Sequence, residues 1–243
     1  MNPSAAPART TPAGPPQAVL FDAYGTLFNV YSVGTAVERL FPGQGEKLGI
    51  LWRDKQIEYT HLTSMSGRWR SFADCTRAGL RYAAKRLGVA LSVAAEDELM
   101  TVYERLDPFP ENHGVLVELK QRGIRAGILS NGDPGMLRAV VRHAGFDGLL
   151  DPVLSVEGTG RFKTDPATYA LGTAALGLPA ERILFVSSNC WDAVGATWFG
   201  YTTLWINRFG LPLEELGAEP ARIGSALTDV LDFFPASSRD PRP

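Results

Sequence analysis

Five short, largely apolar runs punctuate the chain: Ala18–Phe21, Ile124–Leu129, Val153–Val156, Ile183–Val186 and Thr203–Ile206. Runs of this length, bounded by polar or turn-forming residues, predict strands buried on both faces. Between the later runs, apolar residues recur at helical spacing. One helix is predicted from about Asn112 to Arg122, stopped by Gly123, and another from Pro134 through Ala144, stopped by Gly145. Asp165-Pro166 has the cap-then-proline signature of a helix start and leads a helix through Leu176; a last helix runs to about Phe199. Strand–helix alternation predicts an α/β fold with a Rossmann-like parallel sheet and helices on both faces.

The interval between the first two strands breaks that rhythm. Leu40, Leu48, Leu51 and Trp52, then Ile57, Tyr59 and Leu62, recur at spacings near three and four, and Arg68 to Leu87 and Glu96 to Leu106 repeat the pattern. The interval is far longer than an ordinary connection of a few residues, so it reads as an inserted helical cap, with Asp107-Pro108-Phe109-Pro110 as the return hinge. The predicted organisation is a core of residues 17–31 and 108–235, a cap of residues 32–107, and disordered tails at 1–16 and 236–243.

Composition narrows the partners. With 243 residues, 45% hydrophobic and 21% charged, the chain can bury a sizeable core. A net charge of -2 gives no electrostatic ground to expect nucleic acid or an anionic membrane, and no apolar run approaches a membrane span. The N-terminal stretch lacks the apolar centre of a secretory signal, and the two cysteines, Cys75 and Cys190, lie far apart, so a reducing cytoplasm is the expected compartment. His61, His113 and His143 fall in no ligand-spaced cluster, so no structural metal is expected.

Chemistry gathers where the runs end. Asp22 follows the first, Ser130 and Asn131 the second, and Ser187-Ser188-Asn189 with Asp192 the fourth, while Lys163 precedes the Asp165 helix. In a parallel sheet these ends share one edge and can converge on one cleft.

FDAYGTLF, the SNG after the second strand, the lysine before a helix and SSNCWDA together resemble the haloacid dehalogenase superfamily, and specifically its L-2-haloacid dehalogenases; LWRDKQIEYTHL and WINRFG extend the likeness over nearly the whole chain. Superfamily phosphatases carry a second Asp two residues after the nucleophile, beside a magnesium ion, and here that position is Tyr24. A phenol is a poor proton donor at neutral pH, but a departing halide needs none. The resemblance implies an enzyme that needs no cofactor. Asp22 attacks the α-carbon of a 2-haloacid, and Asp192, aided by Lys163, activates the water that cleaves the resulting ester. Arg53, Asn131 and Trp191 accept the halide, Ser130 with neighbouring backbone N–H groups holds the substrate carboxylate, and Thr26, Ser187 and Asn189 position the two acids. Tyr24, Ile57 and Phe72 join Trp191 in an apolar wall, and Tyr169 matches a family site position and is counted with the substrate-binding residues. Two departures stand out: Asp54 where the subfamily often has Gln, beside Arg53, and Thr164 where proline usually follows the lysine. The implied partners are a small 2-haloacid and halide, with a homodimer through the apolar cap helices as in similar enzymes. The competing readings are a magnesium-dependent phosphatase on the same scaffold and a catalytically silent binding protein.

Overall fold

A computed structural model describes residues 14–235. The sequence-predicted tails therefore lie outside the described residues, apart from Gly14–Pro16. Six strands form one parallel sheet in the order β3-β2-β1-β4-β5-β6. They are β1 (Ala18–Phe21), β2 (Arg125–Ser130), β3 (Val153–Ser155), β4 (Ile183–Ser187), β5 (Thr202–Ile206) and β6 (Arg222–Gly224). The sixth has no counterpart among the apolar runs: its three residues follow a long irregular stretch and lie at the sheet edge, where pairing through backbone alone suffices.

Strand order locates the cleft. The chain steps from β1 outward to β2 and β3, then returns to the other side of β1 for β4, β5 and β6. Right-handed crossovers place the connections of the two halves on opposite faces, which opens a crevice beyond the carboxyl ends of β1 and β4. Register brings the polar ends level there. Phe21 pairs with Ile128 and Val186, so Asp22, one residue on, lies beside the ends of both neighbouring strands and donates its N–H to Val186 O at 2.9 Å. Behind it β1 is wholly buried, as an uninterrupted apolar run requires. Gly25 turns the chain away at φ 98°, a conformation costly for any residue with a Cβ.

In the chain between β1 and β2 come four helices, α1 (Val33–Leu40), α2 (Gly45–Met65), α3 (Phe72–Leu87) and α4 (Val93–Val102), packed on one another. The bounds of two expected helices shift by several residues. The third helix begins at Phe72 rather than Arg68, because Ser71 is extended and accepts Asp74 N–H as its cap. The fourth ends at Val102 rather than reaching Leu106. The sheet layer adds α5 (Asn112–Gln121), α6 (Pro134–His143), α7 (Pro166–Leu176) and α8 (Cys190–Phe199). Asp165 caps α7 through Ala167 N–H, with Pro166 following. No helix among the described residues is long and apolar enough to cross a membrane.

α7 approaches the sheet through Gly172: a Cβ there would stand 2.4 Å from both Leu20 Cδ1 and the Tyr201 hydroxyl. Gly172→Val should therefore lower stability by about 1–3 kcal/mol, the usual range for overpacking. The urea midpoint measures this, and an unchanged midpoint would show that α7 can lift without penalty.

Candidate active site

Asp22, only 6% exposed, is gripped on both oxygens. Lys163 Nζ donates to Oδ1 at 3.1 Å; Asn189 Nδ2 and Thr26 Oγ1 donate to Oδ2 at 2.9 and 3.2 Å. Thr26 is itself oriented, since its oxygen accepts the Ser188 N–H at 2.8 Å. Lys163 also donates to Asp192 Oδ2 at 2.9 Å, so one ammonium links two carboxylates. Asp192 sits in the first turn of α8 and is fully buried; its Oδ1 accepts the Tyr169 hydroxyl at 2.8 Å.

Burial sets the charge states. It pushes the Asp192 carboxyl up from 3.8 to about 6, against the pull of Lys163. Burial would depress the lysine, but the two carboxylates outweigh it and hold the ammonium above its usual value. Burial also pushes the Tyr24 phenol well above its ordinary range, and its hydroxyl is buried without a hydrogen-bond partner.

From the helical block, α2 supplies the roof. Arg53, 6% exposed, donates from Nη2 to Tyr24 O at 2.9 Å and Asn189 Oδ1 at 3.2 Å, and from Nη1 to Gln56 Oε1 at 2.6 Å. Those bonds occupy three of the five N–H donors of a guanidinium. Asp54 is exposed and makes no ion pair with Arg53; Gln56 supplies the side-chain acceptor on the inner face. Asn131 accepts Lys163 N–H at 3.0 Å through Oδ1, which turns its NH2 the other way. Arg53, Asn131, Trp191, Tyr24, Ile57, Phe72, Ser130 and Asp22 line one small cavity of about 10 Å³ with Thr60 and Asn189. The Tyr24 and Phe72 rings lie 5.1 Å apart, and the Trp191 and His61 rings pack perpendicular to one another.

Several placements differ from expectation. Tyr169 does not reach the cavity wall: it is fully buried behind Asp192, where α7 meets α8, and contacts the acid instead of the space. Ser187 touches neither carboxylate, because its hydroxyl is turned back to accept Asn189 N–H at 3.1 Å. Gly132 N–H is taken up by the Ser130 hydroxyl oxygen at 3.1 Å, so it is not an open donor beside Ser130. Two further contributors carry no role assigned from sequence, although Gln56 lies within LWRDKQIEYTHL. Gln56, fixed by Thr76 at 2.6 Å, sets the guanidinium; Asn112 pins the loop after Asp22 through Thr26 O and Leu27 O. Each is a polar residue on an otherwise amphipathic helix, and only its burial distinguishes it. Among the described residues no group of three or more His, Cys, Asp or Glu is placed to share a metal ion.

Comparison with known proteins converges on one family. The family model of haloacid dehalogenase-like hydrolases matches residues 16–200. The chain is 44% identical over 216 residues to an (S)-2-haloacid dehalogenase of Pseudomonas sp. (strain YL), covering 89% of this chain and 93% of the relative. A crystal structure of an L-2-haloacid dehalogenase superposes with a TM-score of 0.88 at 52% identity, covering 90% of this chain and 99% of that one. A second, from Xanthobacter autotrophicus with chloropropionic acid covalently bound, gives 0.83 at 37% identity over 88% of this chain and 96% of that one.

Removing the lysine leaves two buried carboxylates without their cation. Lys163→Met should lower stability at neutral pH by about 3–5 kcal/mol, as for other broken buried pairs. Lys163 pulls the Asp192 carboxyl down, so without it the acid rises above about 6; a buried acid is best tolerated when neutral, so the deficit should shrink as pH falls toward about 6. Urea titrations at several pH values test this; a deficit independent of pH would mean that the carboxylates are not what Lys163 stabilises.

Proposed function

The chain belongs to the haloacid dehalogenase-like hydrolases and, among them, to the L-2-haloacid dehalogenases, and we propose that it hydrolyses short-chain L-2-haloacids to D-2-hydroxyacids through an ester on Asp22. The observation that carries the reading is the arrangement of Asp22: a gripped carboxylate facing an apolar-walled cavity, with a guanidinium overhead and a second acid behind the same lysine. In this reading α1–α4 form a cap over the sheet layer.

Asp22 Oδ1 accepts one hydrogen bond and keeps a lone pair for attack, whereas Oδ2 is committed to two donors. Oδ1 displaces the halide from the α-carbon in line: the C–O bond forms as the carbon–halogen bond breaks, the electron pair leaves with the halogen, and configuration inverts. The remaining Arg53 donors, the Asn131 NH2 and the Trp191 edge receive the anion. The Ser130 hydroxyl proton, free because its oxygen accepts from Gly132, orients the substrate carboxylate.

The ester carbonyl is then Oδ2, already under Asn189 and Thr26, which stabilise the charge that gathers there when water adds to the Asp22 acyl carbon. Asp192 takes the proton from that water. Collapse of the adduct breaks the bond to Oδ1, the departing alkoxide recovers that proton from Asp192, and the second water proton leaves Asp22 for solvent, so Asp22 regains a carboxylate carrying one oxygen from water and one proton is released with each halide. Ser187 acts through Asn189, and Tyr169 and Lys163 hold Asp192 in place. The phosphatase alternative requires an acid where Tyr24 stands, and a phenol pushed upward by burial is further from that role than an exposed one.

Purified protein supplied with L-2-chloropropanoate should release chloride and form D-lactate in the presence of a chelator, and Asp22→Ala should abolish both. A first turnover in oxygen-18 water with enzyme in excess should give unlabelled lactate; label in that first product would mean direct attack by water. The base must be ionised, so kcat should climb as pH rises through about 6. An acid limb near the ordinary 3.8 would remove Asp192 from the role.

A further inference from the structure

Asp133 occupies the N-cap position of α6 with an extended backbone, directly before Pro134, yet its side chain makes no bond to its own helix. The carboxylate instead crosses to α3, accepting Phe72 N–H on Oδ1 at 2.9 Å and Ala73 N–H on Oδ2 at 2.8 Å. Those are two of the donors that the first turn of any helix leaves unpaired, and the Ser71 cap serves a different one, Asp74 N–H. A carboxylate there also meets the positive end of the α3 dipole.

The clasp continues toward the reaction centre. Phe72, held by its N–H, places its ring against Tyr24 in the cavity wall. Its carbonyl accepts the Thr76 hydroxyl at 2.7 Å, Thr76 accepts Gln56 Nε2 at 2.6 Å, and Gln56 accepts Arg53 at 2.6 Å. One carboxylate of the sheet layer is thus joined through a single turn of α3 to the guanidinium over Asp22.

We propose that Asp133 is a positioning residue, a latch between the sheet layer and the helical block that sets the places of the Phe72 wall and of Arg53. The role rests on the catalytic reading of the site beneath. Releasing the latch loosens substrate binding more than it slows the chemical step, because Asp22, Lys163 and Asp192 are held wholly within the sheet layer.

Asp133→Ser gives the cleanest test: serine is a good N-cap for α6 but too short to span to α3. Amide exchange at Phe72 and Ala73, measured without substrate, should quicken by about tenfold or more, and KM for L-2-chloropropanoate should rise about tenfold with kcat changed far less. Asp133→Asn keeps one acceptor and should fall between the two proteins on both measures; it also decides the matter if the serine variant does not fold. Unchanged exchange overturns the latch, as does faster exchange with an unaltered KM or a loss confined to kcat. Absence of halide release by the unaltered protein would instead defeat the catalytic reading, and the exchange comparison would still decide whether Asp133 holds α3.

Discussion

A single ammonium group, almost sealed from solvent between two carboxylates, is the interaction around which this molecule is built. Each of the three charges alone would be too expensive to bury, and as a set they add little to stability compared with apolar residues of the same size. Their sum is one negative charge, held in a closed space. The scaffold that makes this possible is the reversal of strand order at β1 and β4, which brings together residues 141 and 29 positions from Lys163. Continuous apolar strands behind the polar edge supply the burial that keeps the charges from water.

Much of this was legible in the chain because two periodicities rarely conflict. The apolar runs marked the core strands, and the residue that stops each run marked the polar edge. β6 was not legible, since three residues at the sheet margin carry no burial pattern. Asp133 was hidden by its own neighbourhood: Asp followed by Pro reads as a local helix cap, and nothing in the string says that the acceptor is lent to another helix. Tyr169 was recognised as belonging near the site, but its depth depends on how α7 and α8 pack, which no linear spacing encodes.

The neighbours of Arg53 show where helical geometry could have gone further. Asp54 is adjacent in sequence and lies about 100° around the helix, so its charge faces solvent. Gln56 is three positions on, returns to the same face and receives the guanidinium. The Asp54 departure therefore changes the outer surface, while Gln56, two places further along, faces inward.

The cavity beneath that guanidinium, about 10 Å³, has room for roughly one water molecule. That is less than the volume of a three-carbon acid. Because Gln56 and Thr76 hold Arg53 from behind, the place of that charge over the cavity is set by a second row of side chains.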